Sequence, residues 1–200
     1  MKRLTGLALP LLLSACAAKA PLTYHTLTSS ADPQASGAPA PFRFALQSVT
    51  VPPQVDQPQL VIRQGDGIAL LEDQRWIAPL ADEVRSALSA DLQARLGTLD
   101  LGDAPRGGGS PVLRINLDVQ RFESVPGGFA RIEGLWTLRL ATPAGDRILT
   151  CGSRLQAPAG ATYQSLVDAH RAALRQLAAR IEPVARRFVA ADGEADCPAS

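Results

Sequence analysis

The side chains that could carry out chemistry in this chain of 200 residues are few and scattered. Ser165, Asp168 and His170 include the three residue types of a nucleophilic hydrolase, in which a histidine takes the serine proton and a carboxylate orients the ring. They fall on one predicted helix, where positions 168 and 170 point about 200° apart. Their closeness in sequence is therefore read as coincidence, and no catalytic residue is nominated. Histidine occurs only as His25 and His170. No cluster has the spacing of a metal site, so neither a metal nor another cofactor is expected. The run Arg106-Gly107-Gly108-Gly109-Ser110 lacks the Gly-Lys-Ser/Thr ending with which a glycine loop cradles phosphate. Asp82 and Glu83 read as an acidic pair favoured by the dipole of a helix first turn. Trp76 and Trp136 read as core anchors, with ligand-facing aromatics as the alternative.

The chemistry that stands out is that of cysteine. Met1-Lys2-Arg3 precedes an apolar run over residues 4–13, and then comes Leu13-Ser14-Ala15-Cys16. Two cations followed by about ten apolar residues suit a secretory signal and are too short to span a bilayer as a permanent helix. The small residues Ser14 and Ala15 give a peptidase access to the bond before Cys16. This stretch resembles the lipobox of bacterial lipoproteins, which implies cleavage between Ala15 and Cys16 and acylation of the Cys16 thiol and amino group. Several acyl chains make such an anchor stable where one is marginal. A plain secretory signal with an incidental cysteine is the alternative. Ala17 stands where an Asp would favour inner-membrane retention, so the resemblance implies an outer-membrane lipoprotein of a Gram-negative bacterium, on the periplasmic face.

Export would leave Cys151 and Cys197 in an oxidising compartment, either as a disulfide tying the end of the chain to a predicted strand or as two free thiols. The formal charge of +1 includes Lys2 and Arg3, so the mature side chains sum to −1. That balance gives no basic stripe with which to displace counterions from phosphates, so nucleic acid is not an expected partner.

Four segments follow: a signal peptide over 1–15, the lipidated cysteine and a flexible tether over 16–41, one domain over 42–190, and a polar tail over 191–200. The tether is rich in Ala, Pro, Ser and Gly and carries little apolar bulk, Tyr24 and Leu27 among it. A strand is expected over 42–51, and the apolar runs 60–63 and 68–71 flank Gly65-Asp66-Gly67 as a hairpin. Leu80, Val84, Leu88, Leu92 and Leu96 recur every four residues on a helix over 78–96, which Gly97 stops. Leu113, Ile115, Leu117 and Val119 alternate with polar residues and open a three-stranded antiparallel meander, with turns at Pro126-Gly127-Gly128 and 143–146. A second helix starts after Thr162 as N-cap. It presents Leu166, His170, Leu174, Leu177, Ile181, Val184 and Phe188 on one face, and Pro183 predicts a kink or break near Ile181. The expected fold class is α+β: a mostly antiparallel sheet of five or six strands, with two long amphipathic helices packed on one face.

A family is visible in the stretch Val51-Pro52-Pro53-Gln54-Val55-Asp56-Gln57-Pro58-Gln59-Leu60-Val61. It is followed by Arg75-Trp76-Ile77-Ala78-Pro79-Leu80 opening a helix, Tyr24 to Leu27 upstream, and Arg121-Phe122-Glu123 ending the alternating strand. Together these resemble the ABC-type transport auxiliary lipoproteins of the PqiC type. Gln57 stands where that family usually has Arg. The motif residues Pro52, Asp56, Pro58, Gln59, Trp76 and Pro79 read as structural, with Pro58 fixing φ and the Asp56 carboxylate able to satisfy backbone donors in the turn.

The resemblance implies a non-enzymatic lipoprotein that accompanies an MCE-domain periplasmic protein and, through it, an inner-membrane permease and ATPase. Such a system moves phospholipid-like molecules between the envelope membranes. The same analogy brings in a homo-oligomer. Loops 53–59 and 125–129, at strand ends, are candidate partner contacts. The alternative reading is a structural outer-membrane lipoprotein that supports envelope assembly or integrity without moving cargo.

Overall fold

The computed structural model describes residues 21–29, 38–102, 104, 111–190 and 195–198. Cys16, Ala15 and the loop 106–110 lie outside them. In chain order the elements are β1 (Thr23–His25), β2 (Arg43–Thr50), β3 (Gln59–Gln64), β4 (Gly67–Trp76) and α1 (Leu80–Leu96), then β5 (Val112–Val125), β6 (Phe129–Thr142), β7 (Gly145–Pro158) and α2 (Tyr163–Val189).

The alternation at 113–119 becomes the long strand β5, with Leu113, Ile115, Leu117 and Val119 all buried. It pairs antiparallel with β6, and β6 with β7, so the predicted meander is present. The pairing shifts between Val119 and Arg121, and the extra residue returns Phe122 and Ser124 to the buried face. Gly134 sits opposite this bulge. A Cβ there would stand 2.6 Å from the Asp118 carbonyl oxygen, so only glycine admits the close approach. β2 joins the other side of β5 in parallel, giving the order β2-β5-β6-β7.

The class is α+β as expected, but the strands number seven among the described residues and form two sheets. The hairpin β3–β4 belongs to a separate three-stranded sheet of order β1-β4-β3. Its first strand lies in the segment expected to be tether. Thr23, Tyr24 and His25 pair in parallel with Gln74, Arg75 and Trp76, and Leu27 is buried in the core. The folded body therefore begins within 16–41. The chain enters it through main-chain pairing, which needs no apolar pattern to form.

α2 packs across β6 and β7, α1 across β2, and the helices against each other. Their buried faces follow the predicted stripes. Gly97 ends α1 in the left-handed conformation, its N–H donating to Gln93 O at 2.9 Å. Thr162 caps α2 by accepting from Ser165 N at 3.2 Å. Of the kink or break expected near Ile181, a break does not occur: α2 runs on through Pro183. Proline inside a helix costs about 3 kcal/mol. Burial of Ile181, Val184 and Phe188 in that same stretch contributes about 1.5–3 kcal/mol each, which outweighs it.

Candidate functional site

The motif residues gather where the three-stranded sheet meets the end of β5. Pro52 is buried, and its carbonyl accepts from Val55 N at 3.0 Å and Asp56 N at 3.2 Å. The turn is thus held by main chain, while Asp56 itself is exposed. Pro58 O accepts from Trp76 N at 2.8 Å, joining the turn to the end of β4. Gln59 Nε2 donates to Glu72 Oε2 at 3.1 Å. Pro79 occupies the N-cap of α1, where its carbonyl accepts from Asp82 N and Glu83 N at 2.9 and 3.0 Å. The motif spacing is that of a β-strand handed directly to a helix and buttressed by one proline turn.

Beneath this corner lies an aromatic stack. Trp76 is buried and meets Phe122 edge to face, centroids 6.2 Å apart at 80°. Phe122 lies flat on the His170 ring, 3.8 Å apart at 7°. His170 is 1% exposed and shares a 2.8 Å hydrogen bond between Nε2 and Ser124 Oγ, while Nδ1 has no partner among the described residues. Burial alone drives the His170 pKa down to about 3. A serine and a histidine at that distance have the outline of a nucleophile and its base, but among the described residues no carboxylate orients Nδ1, and an imidazole this reluctant to take a proton is a poor base. The pair satisfies a buried polar group. The residues that sequence proximity suggested do not converge. Ser165 Oγ donates to Thr162 O at 2.6 Å, and Asp168 accepts from Arg171 and Gln164 at 2.7 and 3.2 Å. No group of three or more His, Cys, Asp or Glu able to hold a metal occurs among the described residues.

Above the stack, the outer face of the β5–β7 sheet carries a band of alternating charge. Glu123 faces Arg63 at 3.0 Å, Arg131 at 3.5 Å and Arg121 at 3.8 Å, and Glu133 faces Arg154 at 3.0 Å. Between the β3–β4 hairpin and β5 lies a hollow of about 240 Å³, reached by Gln54, Val61, Arg63, Ile68 and Arg121. It falls short of the roughly 300–1,000 Å³ of small-molecule sites. A second hollow of about 250 Å³ lies on the open sheet face beside Thr50, Asn116, Thr137 and Thr150. Neither is of a size to enclose a phospholipid.

Glu83 does more than its place in the first turn of α1 suggested. It is 4% exposed, and its Oε2 accepts from Thr26 Oγ1 at 2.7 Å and Leu27 N at 2.6 Å. With Arg171 donating to Thr26 O at 2.7 Å, it fixes the segment after β1 to both helices. At the other end of the chain, Cys151 and Cys197 are joined in a disulfide with Cα atoms 5.3 Å apart. Cys151 is buried on β7 opposite Trp136, so the bridge holds residues 195–198 against the sheet.

The sequence profile of a family described as "ABC-type transport auxiliary lipoprotein component" matches residues 25–182. The chain belongs to that family. The matched span runs from the last residue of β1 to within α2, so β2 to β7, α1 and most of α2 fall in it. No curated protein matches. A crystal structure described as an uncharacterized protein superposes with a TM-score of 0.63 at 18% identity, covering 82% of this chain and 97% of that one. This likeness shows the fold. A crystal structure of a Xanthomonas campestris protein matches at a TM-score of 0.45 and 15% identity, covering 80% of this chain and 90% of the other. No described helix is long and apolar enough to cross a membrane.

Proposed function

We propose that this protein is the lipid-anchored, non-catalytic docking component of an MCE-type ABC transport system, held by Cys16 on the periplasmic face of the outer membrane. The observation that carries this reading is membership of the transport auxiliary lipoprotein family over residues 25–182, preceded by a lipobox at Cys16. Cargo would be phospholipid-like molecules moving between the two membranes, driven by an inner-membrane permease and ATPase that this chain meets through an MCE-domain protein.

The physical features fit a docking part. The corner is held by main-chain hydrogen bonds and aromatic packing, and the described hollows are too small to hold a lipid. Its exposed loops 53–59 and 125–129 are the candidate contacts for the MCE protein. The first is braced by Pro52 and Trp76. In the second, the Gly127 N–H donates to Gly160 O at 2.9 Å and Gly128 O accepts from Ala159 N at 3.0 Å. Both loops are therefore rigid platforms, which lowers the entropy lost on binding. Affinity capture of the full lipidated chain from detergent-extracted membranes tests this reading. It predicts recovery of an MCE-domain protein together with its permease and ATPase. Recovery of peptidoglycan or an assembly machine without them would overturn it.

A further inference from the structure

The presence of β1 shortens the tether. Six residues separate Cys16 from Thr23, where the chain is already paired with β4. Fully stretched, the seven steps from Cys16 to Thr23 reach about 25 Å. A body so closely leashed to acyl chains in a bilayer holds one particular end against the headgroups.

That end carries exposed apolar side chains. In the parallel pair, His25 and Trp76 face inward and are buried, so Tyr24 and Arg75, opposite each other in register, face outward. Leu22 and Ile77 lie two residues from them, on the same outward parity. Ile77 is held there by its N–H donating to His25 O at 2.9 Å. Leu22 is 45% exposed, Tyr24 56% and Ile77 65%. All three are among the eight large apolar side chains exposed in the described residues, and two more, Ile68 and Leu70, lie farther along β4. Exposed apolar side chains grouped in this way mark a contact surface. A tyrosine flanked by aliphatic residues and an arginine suits the boundary between headgroup and acyl chain, where an amphipathic ring and a cation both find partners.

We propose that Leu22, Tyr24, Arg75 and Ile77 form a membrane-seating patch that lies on the lipid surface in which Cys16 is anchored. The inference rests on the reading of Cys16 as the acylated residue. It turns the anchor from a loose leash into a two-point attachment, acyl chains at one point and the outer face of β1 and β4 at the other. It also orients the body. Pro58 is bonded to Trp76, so loop 53–59 stands beside the patch at the level of the membrane, where a partner delivering lipid would have to arrive.

The test uses the full chain, expressed with its own signal and reconstituted into phosphatidylethanolamine/phosphatidylglycerol vesicles with brominated acyl chains, which quench tryptophan on contact. Tyr24→Trp places a reporter in the patch. Leu99→Trp places one at another exposed apolar position, beyond the C-terminal end of α1 and so a helix length away. The parent protein supplies the background from the buried Trp76 and Trp136. After flotation and mass analysis confirm acylated Cys16, the reporter at position 24 loses most of its emission and the one at position 99 keeps its emission. Equal quenching at both positions, or none at 24, overturns the proposal, as does a photo-crosslink from position 24 to a second copy or to an MCE protein without lipid quenching. Should Tyr24→Trp fail to fold, Ile77→Trp answers the same question. A chain that does not float and carries an unmodified Cys16 overturns the anchor reading itself, a failure distinguishable from the others.

Discussion

Phe122 on β5 and His170 on α2 lie face to face 3.8 Å apart, with the imidazole sealed from water and bonded only to Ser124. Burial holds the His170 pKa at about 3, below its ordinary 6.5. The unfolded chain therefore takes up a proton below about pH 6.5 that the folded chain refuses. Stability from this site is fully present above pH 6.5 and lost as pH falls toward 3, by at most about 1.4 kcal/mol per unit. By about pH 5 the loss is about 2 kcal/mol. Urea unfolding at about pH 7.5 and about pH 5 checks this against Ser124→Ala/His170→Leu, which removes both hydrogen-bond partners together. The double variant loses correspondingly less stability on acidification. An identical pH dependence in both proteins would contradict the account of His170.

Cys151 and Cys197 are 46 residues apart and enclose the whole of α2. Closing a loop of that length in the unfolded chain is worth about 4 kcal/mol in the chain-entropy account, and about 2–4 kcal/mol in practice. Cys197→Ala leaves Cys151 as a small buried apolar group. It should lower the denaturation midpoint to that of the reduced wild type and make the protein indifferent to reductant. A wild type whose midpoint ignores reductant would contradict this.

Glu83 binds Thr26 and Leu27 through a single carboxylate oxygen, across a separation of 56 residues in the case of Leu27. Hydrogen bonds to a charged group contribute about 1.5–3 kcal/mol. Glu83→Ala should expose the segment around β1 to proteolysis and fast amide exchange while β5 to β7 stay protected. Uniform loss of protection across both sheets would show that this segment does not open separately.

Gly134 and Gly152 make a matched pair on neighbouring strands. A methyl at 134 meets the Asp118 carbonyl at 2.6 Å, whereas at 152 the nearest atom is Leu135 Cδ2 at 3.6 Å. Gly134→Ala should cost about 1–3 kcal/mol and Gly152→Ala far less, as read by thermal or urea unfolding. Equal effects would mean the bulge at Val119 relaxes freely.

What was legible in the sequence is what repeats locally. The alternation at 113–119 and the fourfold leucine spacing in α1 each declare one buried face, and burial of that face fixes register. β1 was hidden because three residues cannot display a period, and their partners lie some fifty positions away on β4. Leu27 stands among tether-like residues in sequence and is core because its partners, Glu83 among them, are equally remote. Ser124 and His170 are 46 residues apart, so only the folded chain brings them together, while Ser165, Asp168 and His170 share one helix yet bond to different partners. The bulge beside Gly134 left no sign in the composition, yet without it Phe122 would point away from Trp76 and His170. For Cys151 and Cys197 the sequence left a bridge and two free thiols both open, and the fold decides for the bridge by bringing their Cα atoms to 5.3 Å.

Cys16→Ser, made in the full chain and followed by unfolding midpoint, membrane fractionation and an outer-membrane permeability assay, tests the central claim most directly. The account predicts an unchanged midpoint, loss of the protein from the membrane fraction, and an envelope as leaky as in cells lacking the protein. A soluble Cys16→Ser protein that restored full barrier function would contradict it.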